Sequence, residues 1–281
     1  MRYLVLGSRG QIGLELVQYL TSQGHEVRGL DIAQDILHDL RRVDNHVFLD
    51  ALDWSDFVFH LAWDVGGSRY LARQQDSYHF ISNNLKIATT TLDAISHKKK
   101  PFIFASSQMA SMSYSSYGLT KNLTERMVRA IDGITVKFWN VYGIELDPDK
   151  THVVTDFINK ARHTGCIDMM TDGQESRQML HADDCSRALY ILSQKYSDLA
   201  RDSEYHVTSF EWHTMLEVAE IVASFFPGTR IMPADRKDDV QKNARNEPDT
   251  HILKYWQPNI SLRTGIGHVV ADMMENNHAR P

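Results

Sequence analysis

The sequence predicts an α/β protein in which helices cover both faces of a doubly wound parallel sheet. In the first half of the chain, short apolar runs alternate with amphipathic segments of helical period, a pattern typical of such sheets. A glycine-rich turn follows the first apolar run, and a pair of serines ends a later one. After about residue 145 the alternation loosens, which indicates a smaller lobe in the C-terminal part.

The elements are predicted from apolar residues that recur at every second position or at every third to fourth position. Strands are predicted at residues 3–6, 26–31, 56–62, 101–105 and 231–233. Helices are predicted at residues 12–23, 84–96, 117–131 and 211–225. No change of composition marks a linker, so we expect the small lobe to pack tightly on the sheet.

Composition and charge exclude several classes of protein. The chain has 281 residues, of which 42% are hydrophobic and 23% charged, and its formal net charge is -6. A net negative chain has no general field that attracts nucleic acid. No apolar run approaches the roughly 20 residues that span a bilayer, and Cys166 and Cys185 lack metal-type spacing. We therefore expect a reduced, cytoplasmic protein that binds neither nucleic acid nor membrane and holds no metal.

The glycine-rich turn Gly7–Gly13 has the spacing G-x-x-G-x-x-G and lies between the first strand and the first helix. Glycines there allow a tight turn and a close approach of the backbone to a pyrophosphate, and the helix N-terminus supplies free N–H groups. The alternative is a plain structural turn. We favour a dinucleotide site with contacts from Gly7, Gly10, Gln11, Ile12 and Gly13.

Asp31 ends the second predicted strand, 18 residues after the last glycine of the turn. A carboxylate at about this spacing accepts hydrogen bonds from the ribose hydroxyls and repels a 2′-phosphate, which favours NAD over NADP. Arg9 is a signal in the opposite direction, because a guanidinium inside the turn can pair with a 2′-phosphate. Since the position of Asp31 is the usual discriminator, we predict NAD as the cofactor.

Candidate catalytic residues lie where one predicted strand ends and the next helix begins. Tyr117 and Lys121 form a Y-x-x-x-K pair, and positions i and i+4 share one face of a helix. An ammonium beside a phenol lowers the pKa of the phenol and prepares it to exchange protons with a substrate hydroxyl. Ser106 and Ser107 end the strand. One of the two is expected to bond the reacting oxygen, although serines there also serve the turn itself.

Eight segments of the chain carry motifs in a fixed order. They are residues 7–13, 39–41 (DLR), 60–62 (HLA), 84–94, 104–107 (FASS), 137–143 (KFWNVYG), 172–184 and 256–265. In these segments, which extend nearly from end to end, the chain resembles the extended short-chain dehydrogenase/reductases, the NAD-dependent epimerase/dehydratase group. The resemblance implies a nucleotide-activated sugar as the substrate.

The resemblance also implies roles for residues inside these segments. Asp39 and Leu40 are expected to flank the adenine of NAD, and Ser107 to be the catalytic hydroxyl. Asn140 is expected to lie by the diphosphate of the substrate, and Arg177 to pair with its phosphate. Further cofactor contacts are expected from Leu61, Ala62, Asn84, Tyr117, Lys121 and Phe138, and further substrate contacts from Trp63, Ser107 and Arg245.

The domain organisation and assembly are expected to follow the family. Residues 1–145 would form a Rossmann-type NAD-binding domain, with its sheet completed by segments within 146–210, and residues 146–281 mainly a substrate-binding lobe. A symmetric homodimer is expected through the helices at 84–96 and 117–131. Its apolar face would consist of Leu92, Ile95, Leu123, Met127 and Val128, unless these residues face the sheet instead.

Two departures from the family pattern bear on the reaction. Ser107 and Tyr117 are only ten positions apart, where relatives usually have a longer loop, so we expect a trimmed loop and a more open pocket. Gln108 and Met109 stand where sugar 4,6-dehydratases carry an acidic pair, and Met109 lies at or beside the cysteine of 3,5-epimerising relatives. Because neither side chain can protonate a leaving hydroxyl, loss of water is not expected. The segment Trp63–Gly67 is similar to that of GDP-sugar enzymes, a short likeness that coincidence also produces.

The leading functional hypothesis is a nucleotide-sugar epimerase of polysaccharide biosynthesis. In that reaction hydride passes from the sugar to NAD, the keto sugar presents its other face, and hydride returns. A one-way ketoreductase or dehydrogenase is the alternative within the same class, and the sequence does not decide between them. A cofactor-binding protein without catalysis is the alternative from another class, against which the retained Ser107, Tyr117 and Lys121 argue.

Overall fold

The computed structural model describes residues 1–238, 240 and 247–275. Its strands are β1 (Arg2–Leu6), β2 (Glu26–Leu30), β3 (Phe57–His60), β4 (Phe102–Ser107), β5 (Ile134–Phe138), β6 (Asn140–Tyr142), β7 (Cys166–Asp168), β8 (Ser176–His181), β9 (Tyr205–Val207), β10 (Trp212–Thr214) and β11 (Arg230–Met232). Its helices are α1 (Gln11–Ser22), α2 (His46–Trp54), α3 (Ser68–Gln74), α4 (Tyr78–Lys98), α5 (Ser116–Ala130), α6 (Val153–Thr164), α7 (Ala182–Gln194), α8 (Met215–Ala223) and α9 (Leu262–Glu275). Of the helices in these ranges, none combines the length and the apolar character needed to cross a membrane.

The central sheet contains six parallel strands in the order β2-β1-β3-β4-β5-β9. The chain leaves β1 to form β2 on one side and returns to form β3 on the other, which opens a crevice at the carboxyl end of β1. Strands β3 and β4 are buried along their whole length, as expected where helices cover both faces of a sheet. The predicted α/β fold with a parallel sheet is confirmed.

The strands and helices predicted for the first half of the chain are present, and the largest shift is at α4. This helix begins at Tyr78, six residues before the predicted start. Ser77 determines the start, because its Oγ accepts the N–H of Phe80 at 3.2 Å and satisfies one of the free donors of the first turn. The sequence prediction missed α2, which begins after Asn45, whose side chain accepts the N–H of Phe48 at 2.9 Å.

The helix predicted at 211–225 is wrong at its start. Trp212–Thr214 form β10, which pairs antiparallel with β8, and α8 begins only at Met215. The Oγ1 of Thr214 accepts the N–H of Glu217 at 3.1 Å, and the Glu217 carboxylate accepts the N–H of Thr214 at 3.0 Å. This reciprocal pair of bonds, a capping box, decides where the helix starts.

A second apolar core lies among the C-terminal elements. Helices α6, α8 and α9 pack around it with β7 and β11, and the latter two pair in parallel. Strand β8 lies between β6 and β10 in a three-stranded sheet. The chain also returns to the first core, because α7 packs on α1 and β9 is the outer strand of the central sheet. The division of the chain at residue 145 stays a prediction.

The structure corrects part of the predicted dimer face. Leu92, Ile95 and Val128 are at most 3% exposed and belong to the core beneath the central sheet. Met127 packs against the same core. Leu123, by contrast, is 50% exposed on α5. Most of the apolar residues on these helices therefore face the sheet, which was the alternative interpretation of the pattern.

Candidate active site

A cleft of about 810 Å³ opens at the carboxyl ends of the central strands, between the sheet and the C-terminal elements. The glycine turn Gly7–Gly13 lines one part of it, and Ser107, Tyr117 and Lys121 line another. Every predicted site residue in the described ranges lines this cleft except Asn84. Arg245, the remaining predicted substrate contact, lies outside the described residues.

The backbone of the glycine turn packs closely against itself and against the segment that follows β3. Gly7 has a φ of +84°, and a Cβ on it would lie 2.7 Å from the amide nitrogen of Ala62. A Cβ on Gly13 would lie 2.0 Å from the carbonyl oxygen of Gly7. Gly10, at the N-cap of α1, provides no side-chain cap for the helix, so the first N–H groups remain available to a phosphate. This cradle fits the pyrophosphate of a dinucleotide.

Asp31 follows β2 and holds the glycine turn in place. Its Oδ2 accepts the N–H of Arg9 at 2.9 Å, and its Oδ1 accepts the N–H of Ala33 at 2.9 Å. Each carboxylate oxygen keeps a second lone pair, which suits the two hydroxyls of a ribose. Arg9 lines the cleft as well. The residue that favours NAD, Asp31, and the residue that favours NADP, Arg9, therefore lie at the same end of the cleft.

Asp39 forms a two-pronged ion pair with Arg41. The Oδ1–Nε and Oδ2–Nη2 distances are both 2.8 Å. The hydrogen bonds from Arg41 lower the pKa of Asp39. The carboxylate therefore carries a negative charge, and the guanidinium of Arg41 compensates it. Arg41 also donates to Oδ1 of Asn83 at 3.0 Å. Leu40, which is buried beside this pair, contributes the apolar surface at the edge of the cleft.

Asn84, one of the predicted cofactor contacts, does not line the cleft. It is fully buried, and its amide accepts the N–H of Asp64 at 2.7 Å and donates to the carbonyl oxygen of Asp64 at 3.0 Å. Both polar atoms of the amide are therefore used to hold the segment that follows β3. Its neighbour Asn83 lines the cleft instead, because successive residues of a helix point in different directions.

Ser107 and Tyr117 meet in the cleft despite the short segment between them. Ser107 lies close enough to Tyr117 to lower the pKa of its phenol, and Oγ of Ser107 accepts the N–H of Met109 at 3.1 Å. A single 3-10 turn, Gln108–Ser111, makes the connection. It packs so closely on α5 that a Cβ on Gly118 would lie 2.1 Å from the carbonyl oxygen of Met109.

Burial raises the pKa of Tyr117 to about 12, and the hydrogen bond to Ser107 only partly offsets this effect. The expectation that Lys121 lowers the pKa of Tyr117 is wrong for this arrangement of the site. The Lys121 Nζ donates to the carbonyl oxygen of Ala105 at 2.5 Å. It lies 4.0 Å from the ring centroid of Trp63 but 5.9 Å from that of Tyr117. Burial also lowers the pKa of Lys121 itself, since a charged group loses its hydration there.

A network of charged side chains, of which Glu125 and Lys137 are largely buried, lies behind Lys121, and the sequence analysis missed it. The hydroxyl of Ser106 donates to Glu125, which lies one helical turn after Lys121 and raises the pKa of that lysine. Lys137 lies 3.6 Å from Glu125 and 2.6 Å from Glu204, measured between the charged atoms. Ser106 is thus engaged away from Tyr117, and Ser107 is the serine that contacts the phenol.

The cleft also presents donors for an acidic ligand. The Nδ2 of Asn140 and the Nε1 of Trp63 are buried and make no hydrogen bond to the described residues. Both side chains line the cleft, where an oxygen of a ligand would satisfy them. Arg177 forms an ion pair with Asp238, and the side chain of Arg177 is only 8% exposed. The guanidinium is therefore held in one place beside the cleft.

A model of the NAD dependent epimerase/dehydratase family matches residues 3–207. The chain belongs to this family. Two relatives from Oryza sativa subsp. japonica illustrate the range of similarity. GDP-mannose 3,5-epimerase 1 is 25% identical over 95% of this chain and 80% of its own length. Probable GDP-L-fucose synthase 1 is 24% identical over 98% of this chain and 92% of its own length.

Solved structures share the fold at low sequence identity. The epimerase Mth375 from Methanothermobacter thermautotrophicus superimposes with a TM-score of 0.85 at 19% identity, over 99% of this chain and 93% of its own. UDP-glucose 4-epimerase from Thermotoga maritima, solved with UDP-glucose, gives a TM-score of 0.81 at 19% identity, over 99% and 100%. The cofactor of this epimerase/dehydratase-family protein is NAD, which agrees with the cradle at Gly7–Gly13 and with Asp31.

Two pairings in this family member's cleft were not predicted from its sequence. The Oδ1 of Asp64 accepts the hydroxyl of Tyr70 at 2.6 Å and the Nζ of Lys150 at 2.9 Å. The Oε1 of Glu145 lies 2.6 Å from Nδ1 of His152. Among the sequence-based predictions, only the likeness of Trp63–Gly67 to GDP-sugar enzymes concerned this region. Asp64 and Lys150 are too far apart in sequence for any local pattern to pair them.

A possible metal-ligand group lies outside the cleft. Donor atoms of His181, Asp183 and His268 all lie within 4.8 Å of one another. The Nδ1 of His181 already accepts the N–H of Asp183 at 3.2 Å, which caps α7. This bond gives His181 a structural role at the start of the helix, and we assign no metal to the group.

Proposed function

We propose that the chain is an NAD-dependent epimerase that acts on a nucleotide-activated sugar. One observation carries the proposal: Ser107, Tyr117 and Lys121 line the same cleft as the glycine turn, and Ser107 lies close enough to Tyr117 to lower the pKa of its phenol. The relatives point in the same direction, since the two rice proteins are named for GDP-sugars and the Thermotoga structure contains UDP-glucose.

In this proposal NAD, when bound, accepts a hydride from the sugar and returns it. The side chains of the protein supply proton transfer and positioning. Ser107 holds the reacting oxygen, and Tyr117 exchanges its proton with that oxygen in both halves of the cycle. Lys121 positions the nicotinamide ribose. Asn140, whose Nδ2 has no partner among the described residues, and Arg177 hold the diphosphate.

The side chains after Ser107 argue against a dehydratase. Gln108 and Met109 are buried at 5% and 3% exposure, and neither an amide nor a thioether can donate a proton to a leaving hydroxyl. We assign proton transfer at the reacting oxygen to Ser107 and Tyr117, which both line the cleft. Epimerisation by transient oxidation and reduction of one carbon, unlike loss of water, needs no additional acid to protonate a leaving hydroxyl.

A ketoreductase is the second candidate, and the pKa of Tyr117 favours it. A phenol whose pKa is raised to about 12 by burial holds its proton at neutral pH. It is therefore better suited to donate a proton to a carbonyl oxygen than to remove one from a hydroxyl. A one-way reduction would require Tyr117 only to donate its proton to the carbonyl oxygen.

A panel of GDP-, UDP- and dTDP-sugars incubated with the protein, with NAD or with NADH, tests the proposal. We expect an epimeric sugar as the product and no net change in NADH absorbance. Stoichiometric consumption of NADH would instead identify the ketoreductase. If wild type and Tyr117→Phe are equally inactive on the whole panel while both bind NAD, the proposal of an enzyme is wrong.

The remaining parts of the proposal concern the setting of the reaction. We propose a homodimer that uses the exposed part of α5, where Leu119 and Leu123 are 51% and 50% exposed. We also propose a cytoplasmic enzyme of polysaccharide biosynthesis, without nucleic-acid or membrane partners, which agrees with the net charge of -6.

A further inference from the structure

Glu175 carries a carboxylate oxygen that lacks a donor. Its Oε1 accepts the hydroxyl of Thr171 at 2.5 Å. Its Oε2 is buried and makes no hydrogen bond to the part of the chain that the structure describes. A buried acceptor without a donor is costly and uncommon in native proteins. Glu175 lines the cleft, so a ligand in the cleft can supply the missing donor.

The position of Glu175 relates it to the diphosphate site of the proposed function. Glu175 comes directly before β8, and Arg177 is the second residue of that strand. Residues two apart in an extended chain point to the same side, and both side chains line the cleft. Glu175 therefore lies on the same wall of the cleft as Arg177, the predicted phosphate partner of the substrate.

The segment around Glu175 is rigid and partly apolar. The N–H of Met215 donates to the carbonyl oxygen of Glu175 at 3.0 Å, and the N–H of Leu216 donates to that of Gly173 at 3.0 Å. Gly173 has a φ of +76°, and a Cβ on it would lie 2.6 Å from Cε of Met169. Met169 and Met215 also line the cleft. Polarizable thioethers pack well on a flat ring, and a fixed loop loses little entropy on binding.

We infer that Glu175 recognises the base of the nucleotide-sugar and selects guanine, so that the substrate is a GDP-sugar. This inference rests on the proposed function. Guanine presents two adjacent donors, the ring N1–H and the exocyclic N2–H, which match the two oxygens of a carboxylate. Uracil and thymine present one N–H between two carbonyl oxygens, and adenine places its amino group beside a ring acceptor. Each of these directs a lone pair at the carboxylate, which a charged acceptor disfavours.

Binding of nucleoside diphosphates to the NAD-loaded protein tests the inference without any turnover. Calorimetric titration with GDP, UDP, dTDP and ADP is expected to give a Kd for GDP at least about 10-fold lower than for the other three, as for a charge-assisted pair lost in a buried site. Glu175→Gln is expected to weaken GDP binding by at least about 10-fold while the Kd for UDP changes by less than about 3-fold.

Asp172→Asn is the matched control. Asp172 lies on the same loop but does not line the cleft, and its Oδ1 accepts the N–H of Gln174 at 3.1 Å, a bond that an asparagine retains. Its Kd for GDP should equal that of wild type. If Glu175→Gln fails to fold, Glu175→Asp, which keeps the charge but withdraws it by one methylene, should give the same selective loss.

The outcomes separate the inference from the proposed function. If UDP or dTDP binds as tightly as GDP, or if Glu175→Gln leaves the Kd for GDP unchanged, the assignment of guanine to Glu175 is overturned while a nucleotide-sugar enzyme stands. An equal loss of GDP binding in Asp172→Asn overturns it too. If none of the four nucleotides binds the NAD-loaded protein, the proposed function itself fails.

Discussion

At the scale of single residues, Tyr117 is the group on which the proposed chemistry depends. Tyr117→Phe keeps the packing of the ring but removes the hydroxyl that Ser107 contacts. We expect turnover to fall by about 100-fold or more, the usual scale for a lost general acid or base, while the Kd for NAD changes little. Steady-state assays and NAD titration measure the two effects separately. A variant with full activity would contradict the assignment, and Tyr114 would become the next candidate.

Glu125 is expected to set the pH range in which Lys121 is charged. The ammonium is lost as the pH rises through the pKa of Lys121, and Glu125 raises that pKa while burial lowers it. Without the carboxylate the pKa of Lys121 falls further. Glu125→Gln should therefore move the alkaline limit of NAD binding to lower pH, measured by NADH fluorescence titrations across a pH series.

Glu204→Gln is the control for this prediction. Glu204 pairs with the same Lys137 at 2.6 Å but does not act on Lys121. The alkaline limit of NAD binding should stay where it is in wild type. If both variants shift the limit equally, the network contributes general stability rather than a specific charge at Lys121.

At the scale of elements, the close contact between the 3-10 turn Gln108–Ser111 and α5 brings Ser107 to Tyr117. Gly118→Ala adds a methyl group where a Cβ would lie 2.1 Å from the carbonyl oxygen of Met109. In an ordinary helix this change stabilises by up to about 1 kcal/mol. Here we expect a loss of about 1–3 kcal/mol in the free energy of unfolding. A displaced turn should also reduce turnover by about 100-fold.

Arg126→Ala provides the comparison on the same helix, because Arg126 is exposed and contacts Asn122 rather than the turn. Denaturant melts and turnover of the two variants measure the difference. A Gly118→Ala protein as stable and as active as Arg126→Ala would show that the turn has room to move and that the short segment does not constrain the site.

At the scale of the whole molecule, the proposed dimer depends on the exposed part of α5. Leu123→Asp places a charge at a 50% exposed apolar position, and burial of an unpaired charge in an interface is unfavourable. We expect light scattering to report a dimer for wild type and a monomer for the variant, with NAD binding intact. Val43→Asp, a change at an 83% exposed position away from this helix, should remain dimeric. A monomeric wild type would contradict the proposal.

The sequence by itself determined the features whose cause is local. The turn Gly7–Gly13 needs glycine for its own backbone geometry, and Asp31 follows it at a spacing determined by one helix and one strand. Tyr117 and Lys121 lie one turn apart on α5, so their proximity in space follows from the helical period. The alternation of strands and helices similarly predicts a parallel sheet, because apolar periodicity reports which faces are buried.

Only the tertiary structure decided which side chains meet across the chain. The resemblance to the family had already singled out Ser107, but the packing of the 3-10 turn against α5, which brings Ser107 near Tyr117, has no periodic signal. Asn84 proved to serve the backbone of Asp64, and the effect of burial on the pKa of Tyr117 outweighs that of its neighbours. Desolvation and the pairing of distant groups depend on the whole surrounding volume. No short stretch of sequence encodes that volume, whereas the glycine turn and the shared helix face of Tyr117 and Lys121 are each encoded within a few residues.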